Sequence, residues 1–190
     1  KISEQFSDQM MIAMRVYFEK PRTALGWKGY INDPNLNDTF DVKLGLSKAR
    51  EFLLQIAEIG LPAATEYLDP FTPQFLGDLV SWGAIGARTT ESQPHRVMAS
   101  GLSMPIGFKN GTGGRIQIAI DAIIAAKSEH VFMGIDSNGL SSVVATNGNP
   151  NTHLVLRGGK TGPNFDSKSI QESEKLLTQN KLTASLIVDC

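Results

Sequence analysis

Short apolar runs alternate with longer stretches of helical period along this 190-residue chain, and that alternation narrows its fold more than any other feature. A strand of a parallel sheet is covered on both faces and reads as an unbroken apolar run, and the next strand is reached through a crossover, usually a helix. Repeated βα units around a parallel sheet are therefore expected. Candidate strands are 12–18, 63–67, 84–87, 106–109, 131–135, 142–145, 154–156 and 185–188. Between them, 45–59 carries Leu46, Ala49, Leu53 and Ile56 on one helical face and stops at Gly60, suited to the left-handed position after a helix. Thr72 and Pro73 read as an N-cap and first helical residue. Further helices are expected over 90–99, over 114–126 with Ile116, Ile120 and Ile123 on one side, and over 169–180. One pair of strands breaks the alternation: VFMGID and SSVVAT are separated by SNGL, which reads as a β-hairpin.

Four apolar runs close on cations followed by turn residues: WGAIGAR before TTES, PIGFK before NGTGG, HLVLR before GGK, and MMIAMRVYFEKPRT around Arg15, Lys20 and Arg22. Desolvating an unpaired cation costs several kcal/mol, so repeated cations at strand ends point to a shared anion site. The alternative is that each caps a helix C-terminus or pairs with a carboxylate. Strand-end chemistry on parallel strands suits a closed (β/α) barrel, with an open doubly wound sheet as the other candidate. The Gly-rich segment 110–115 follows a strand and opens a helix, so its N–H groups could receive a phosphate. It is neither G-x-G-x-x-G nor a P-loop, and a plain strand-to-helix turn fits it equally.

Composition sets the outer limits. With 41% hydrophobic and 19% charged residues the chain can fill a core of single-domain size, and a net charge of -1 argues against nucleic-acid or membrane-surface binding by bulk charge. No run approaches the roughly 18 apolar residues of a membrane span, and KISEQFSDQM lacks the apolar stretch of a signal peptide. The single cysteine, Cys190, excludes intrachain disulfides and suits a reducing compartment, so a cytoplasmic location is expected. The sequons at Asn37 and Asn110 then read as chance matches. His95, His130 and His153 lack ligand spacing and read as core or surface residues.

The strings EKPRT (19–23), GWKG (26–29), GAIGARTTESQ (83–93), HR (95–96), ASGLS (99–103), GFKNGT (107–112) and LRGG (156–159) occur in order along essentially the whole chain. Together they closely resemble the type I 3-deoxy-D-arabino-heptulosonate 7-phosphate (DAHP) synthases. The resemblance implies an α/β fold of the (β/α)8 TIM-barrel kind, with residues 1–190 as the central part of a single barrel domain and 129–148 as an inserted hairpin of regulatory type. It implies condensation of phosphoenolpyruvate with erythrose 4-phosphate, the opening step of the shikimate route to aromatic amino acids, with a divalent metal (Mn2+, Fe2+, Co2+ or Zn2+).

By the same resemblance, Arg15, Arg88, Lys109 and Arg157 look like binders of phosphoenolpyruvate. Glu66 is either an acidic residue beside that ligand or a carboxylate that orients one of the arginines. Lys20, Pro21, Arg22 and Thr23 resemble the segment that holds erythrose 4-phosphate, with Lys20 as the catalytic candidate that delivers a proton to the developing alkoxide. Asp69, Pro73, Gln74, Leu102, Ser103, Phe132, Gly134 and Val144 match positions around a pocket for an inhibiting aromatic amino acid, although ordinary strand packing explains each apolar member. Gly134 leaves room that favours a larger or hydroxylated ring such as tyrosine.

In several respects the chain departs from the family pattern. The family's metal ligands match no position in it: a Cys in G-P-C-S would precede residue 1, and a His, a Glu and an Asp would follow Cys190. On the barrel reading the first and eighth strands are missing, which implies a fragment or partial record of a longer polypeptide. A catalytically silent fragment and another phosphate-handling barrel synthase stay open beside the enzyme reading. A homo-oligomer, dimer or tetramer, is expected by analogy alone.

Overall fold

The computed structural model describes residues 2–19, 24–136 and 138–189. It divides into two compact units, one ending at Gly83 and one beginning at Ala84.

In the first unit a short helix α1 (Ile2–Gln5) precedes strand β1 (Met14–Arg15), which pairs parallel with β2 (Ala63–Glu66) in the register Met14 to Ala63. Only the middle of the expected run 12–18 enters the ladder, and its last rung is Val16 N–H to Ala64 O at 2.8 Å. Beyond it the chain turns to a different partner: Phe18 O accepts from Ile31 N–H, and Glu19 bridges to Gly29. Helix α2 (Val42–Glu58) begins earlier than its apolar period suggests, because the Asp41 side chain caps it by accepting from Leu44 N–H at 3.0 Å. Its buried stripe is Gly45, Ala49, Leu53 and Ile56. Gly45 thus takes the core position expected of Leu46. The helix stops at Gly60 (φ 75°), with Leu61 N–H bonded back to Ile56 O.

Helix α3 (Thr72–Leu76) also differs from expectation. Phe71 is its N-cap, Thr72 is already helical, and no side chain caps the end. The buried Thr72 hydroxyl is engaged with the Glu19 carboxyl. A single 3-10 turn (Gly77–Leu79) follows α3. Phe18 joins the aromatic part of this core, its ring lying 6.3 Å from Tyr30 and 6.2 Å edge-on from Phe52.

Strand β3 (Trp82–Ile85) carries the chain across the division. In the second unit β4 (Ile106–Lys109), β7 (Thr152–Leu156) and β8 (Leu186–Val188) are parallel neighbours in that order. Helix α5 (Gln117–Ala126) packs on β4 and β7 and buries six residues, Ile118, Ala119, Ile120, Ala122, Ile123 and Ala126. Helix α4 (Gln93–Ser100) packs on α5. It starts three residues later than its period suggests, because residues 87–91 form turns closed onto Gly86 O. Helix α6 (Ser167–Gln179) is capped by Asp166, whose side chain accepts from the N–H groups of Lys168 and Ser169.

The hairpin is present as β5 (His130–Ile135) and β6 (Ser141–Thr146), antiparallel over six paired positions. Asp136 closes its turn by accepting from Asn138 and Leu140 N–H at 2.8 and 3.0 Å.

The α2 glycine supplies a test of packing against propensity. Ala in place of an exposed helical Gly gains about 1 kcal/mol. At Gly45, however, an added Cβ would overlap the Ile31 backbone carbonyl. Gly45→Ala is therefore expected to destabilise the intact protein in urea, and a raised midpoint would show that the contact yields.

Candidate functional site

Arg15, Glu66, Lys109 and Arg157 sit at C-terminal strand ends, within each unit separately. In the first unit, Arg15 ends β1 and Glu66 ends β2. Arg15 is exposed, and its guanidinium lies 3.8 Å from the centroid of the Tyr17 ring, which holds the fork by cation–π attraction. Lys20, Pro21, Arg22 and Thr23 lie outside the described residues.

Glu19, immediately before Lys20, is 6% exposed and accepts from Leu68 and Asp69 N–H at 3.3 and 3.1 Å. Burial pushes its carboxyl up to about 7, against the pull of those two N–H groups. It thereby fastens the entry of the segment 20–23 to the loop after β2. Beside it Tyr67 is fully buried, with no hydrogen-bond partner for its hydroxyl among the described residues. Burial, with Asp78 and Glu19 nearby, holds that phenol well above its ordinary range, so it stays neutral. Of the proposed effector positions in this unit, Pro73 is buried, Asp69 and Gln74 are exposed, and Asp69 accepts from Phe71 N–H at 2.8 Å.

In the second unit Lys109 is the last residue of β4, Arg157 follows β7, and Asp189 follows β8. The Lys109 ammonium lies 2.8 Å from the Asp189 carboxylate, with the lysine side chain 13% exposed and the aspartate 44%. Arg88 is exposed in the turn after β3. That turn is tied to β4 by the buried Thr90 hydroxyl, 2.8 Å from Lys109 O and 2.9 Å from Gly86 O. Arg96 Nε closes it from below by donating to Thr90 O at 2.9 Å. The buried Asn110 side chain joins the loops after β4 and β7.

Leu102 and Ser103 follow α4, while Phe132 and Val144 face each other across the hairpin ladder and Gly134 faces Ser142. The structure therefore brings Phe132 and Val144 together.

The three histidines are engaged locally: His95 Nδ1 with Ser92 Oγ at 2.8 Å, His130 Nε2 with Ala125 O at 2.7 Å, and His153 Nδ1 with Asn151 O at 3.3 Å. Burial lowers the pKa of His153. Among the described residues, no three of His, Cys, Asp and Glu come together in a group that could hold a metal ion. Cys190 lies outside the described residues. Nor does any described helix have the length and apolarity to cross a membrane.

The sequence model of the DAHP synthetase I family matches residues 1–190. The chain belongs to the DAHP synthetase I family. It is 55% identical over 189 residues to the Tyr-sensitive phospho-2-dehydro-3-deoxyheptonate aldolase of Escherichia coli (strain K12), covering 100% of this chain and 53% of that protein. It is 54% identical over 188 residues to the Phe-sensitive enzyme of the same strain, covering 99% of this chain and 53% of that protein. The structure of phospho-2-dehydro-3-deoxyheptonate aldolase from Francisella tularensis SCHU S4 superposes with a TM-score of 0.95 at 46% identity, covering 100% of this chain and 56% of that one. This family member thus spans about half the length of the relatives it matches.

Sequence reasoning about cations missed the residues that hold them. Asp189 ends the apolar run LIV as plainly as Lys109 ends IGF, and asking the same question of anions would have found it. Asn110 and Glu19 lay inside quoted motifs, but as a sequon and as a neighbour of Lys20.

Glu19 makes a pH-dependent prediction. Because its folded-state pKa is raised from 4.5 to about 7, its contribution to stability is complete below about 4.5 and lost as pH rises through about 7. The shift corresponds to an order of 3 kcal/mol at full ionisation. From pH 5.5 to 8.5, the intact wild-type protein should lose stability relative to Glu19→Gln. Parallel melting profiles for the two would show that the carboxyl ionises normally.

Proposed function

We propose that this chain is part of a 3-deoxy-7-phosphoheptulonate synthase. The intact enzyme condenses phosphoenolpyruvate with D-erythrose 4-phosphate and water to give DAHP and inorganic phosphate, in aromatic amino-acid biosynthesis. The supporting observation is the placement of Lys109 and Arg157 at the C-terminal ends of adjacent parallel strands, in a member of this family. Phosphoenolpyruvate brings close to three negative charges as phosphate and carboxylate. Arg15, Arg88 and Arg157 offer forks that meet such groups two bonds at a time, and Lys109 offers a point charge. Glu66 stands beside that ligand or orients one of the arginines.

In the proposed reaction C3 of phosphoenolpyruvate attacks the aldehyde carbon of erythrose 4-phosphate, forming the new C–C bond. The aldehyde oxygen takes a proton from Lys20. Water adds at C2 and gives up a proton, and the C2–O bond to phosphorus-bearing oxygen breaks as the ketone forms and phosphate leaves. Lys20, Pro21, Arg22 and Thr23 hold the second substrate, with Arg22 and Thr23 on its phosphate. The family resemblance adds a divalent metal, Mn2+, Fe2+, Co2+ or Zn2+, which would polarise the aldehyde as a Lewis acid. The described residues do not fit it, and their part is binding and orientation.

The same reading takes residues 1–190 as the central part of one closed-barrel domain in a cytoplasmic dimer or tetramer. The hairpin region 129–148 then serves feedback inhibition. An aromatic amino acid would contact Asp69, Pro73, Gln74, Leu102, Ser103, Phe132, Gly134 and Val144. The names of the E. coli relatives, Tyr-sensitive and Phe-sensitive, support inhibition of this kind and stand at nearly equal identity to this chain.

The intact enzyme, supplied with Mn2+, should release one phosphate per phosphoenolpyruvate consumed, and only when erythrose 4-phosphate is present; no release would end the proposal. Lys20→Ala should lower kcat at least 100-fold while phosphoenolpyruvate affinity changes less than threefold. Equal losses in both would make Lys20 a ligand holder. For the effector, calorimetry on the intact enzyme should show tyrosine binding more tightly than phenylalanine, because Gly134 leaves room for the larger ring. The reverse order would remove the inference from Gly134.

A further inference from the structure

The parallel ladder between β4 and β7 ends at the pair Lys109 and Val155, with Asn110 N–H donating the next bond, to Val155 O at 3.1 Å. Past that point the backbones have no further rung, yet Lys109 and Arg157, two of the four proposed phosphoenolpyruvate cations, leave the chain there. The Asn110 side chain takes over. Its Oδ1 accepts from Arg157 N–H at 2.9 Å, and its Nδ2 donates to Gly158 O at 2.9 Å. A carboxamide presents a donor and an acceptor with the geometry of a peptide group, so Asn110 acts as one more rung built from a side chain.

The remaining capacity of the amide is also used. Nδ2 donates to Gly111 O at 3.0 Å, and Oδ1 accepts from Asn164 Nδ2 at 3.2 Å. Asn164 Oδ1 in turn accepts from Gly158 N–H at 2.7 Å. Arg157 N–H can only donate and Gly158 O can only accept, so the amide has one permitted orientation. Asn110 is 0% exposed, so a bond left unmade there is not replaced by water. The two loops also touch directly, because Gly159 packs so closely on the Gly114 backbone that a Cβ there would not fit. Loops 110–114 and 157–164 are therefore fastened to each other, with Lys109 and Arg157 at their edge.

We infer that Asn110 is a positioning residue for phosphoenolpyruvate: as a neutral rung beyond the strand ladder, it fixes the two strand ends that carry Lys109 and Arg157 relative to each other. This rests on the function proposed above. The residue touches no substrate itself. Neutrality is part of the role, because a carboxylate at the same place would supply the acceptor bonds while adding a second negative charge beside Lys109, which already pairs with Asp189. Displacing a binding group by about 1 Å is enough to cost roughly 100-fold in an oriented site.

The test uses the intact enzyme and three variants, Asn110→Ala, Asn110→Asp and the milder Asn164→Ser, which leaves Asn110 in place. Phosphoenolpyruvate Kd is read by calorimetry and KM for each substrate by phosphate release. Asn110→Ala and Asn110→Asp should weaken phosphoenolpyruvate at least tenfold, Asp more than Ala, and Asn164→Ser about threefold, with erythrose 4-phosphate KM within twofold of wild type. A residue that merely stabilised the fold would lower Tm and the active fraction without this selectivity. If the Asn110 variants do not fold, Asn164→Ser decides alone. Unchanged phosphoenolpyruvate affinity in folded variants, or equal weakening of both substrates, overturns the inference while wild-type phosphate release leaves the proposed reaction standing. Wild type that neither binds phosphoenolpyruvate nor releases phosphate overturns both.

Discussion

A strand covered on both faces can carry a charge only where it ends. Burying an unpaired ion costs several kcal/mol, whereas each buried methylene returns only about 0.8 kcal/mol, so one misplaced charge outweighs most of a strand's apolar surface. In the second unit that constraint is obeyed strand by strand. Ile106, Gly107 and Phe108 are buried before Lys109, Leu154 to Leu156 are buried before Arg157, and Asp189 waits until β8 is finished. Because the strands are parallel, their charged ends fall on the same side. The fold thus collects charge without any residue being chosen for its neighbours, and chemistry at that end is a consequence of strand direction. The Lys109 to Asp189 pair answers the repulsion this gathering creates by placing one carboxylate among the cations.

Collecting charges at strand ends leaves them where the backbone ladder no longer holds anything, so side chains must do the holding. The two units solve this with different chemistry. In the second unit the loops are fastened to one another by neutral groups, the Asn110 and Asn164 amides and the Thr90 hydroxyl, while Asp189 meets the Lys109 side chain itself. A buried carboxylate would have made comparable bonds to Arg157 N–H, but it would also have drawn Lys109 or Arg157 away from an anionic ligand. In the first unit the fastener is Glu19, whose charge depends on pH near neutrality because burial opposes it and two N–H groups favour it. Its partners Leu68 and Asp69 lie on the loop after β2, so the hold on the chain just before Lys20 is electrostatically adjustable where the other unit's is not.

This division also explains what could be read from the sequence. Strand positions were legible because solvent exclusion is a local pattern: an apolar run bounded by a charge and a turn marks β2, β4, β7 and β8 to within a residue or two. The hairpin was legible from its four-residue separator. The extent of β1 was not, since Val16 and Phe18 are buried by residues distant in sequence while their ladder partners run out. Helix starts moved where a side chain intervened, Asp41 lengthening α2 and Thr72 serving Glu19 in place of the α3 cap. The cations stood out because a charge after an apolar run is rare. Asn110 did not, because its four partners lie between one and 54 positions away and leave no periodic trace.

The hairpin shows the same principle in an element that has one face to hide. Its register puts Val131, Met133 and Val143 on the exposed side, at 72%, 69% and 68%, and leaves Phe132, Gly134 and Val144 less exposed. Hydrophobicity does not choose between these sets, because a slip of one residue would exchange two apolar faces at little cost in burial. The choice is made by polar contacts at both ends. At the tip, Asp136 gathers Asn138 and Leu140. At the base, Thr146 Oγ1 lies 2.6 Å from Ser100 Oγ and accepts from His130 N–H at 3.2 Å, and Asn149 N–H donates to Ala126 O at 2.8 Å. A two-stranded hairpin is marginal alone, so these few bonds to α4 and α5 decide which side chains face inward. Which face of the hairpin carries Phe132 and Val144 inward is therefore fixed by a threonine, an aspartate and an asparagine.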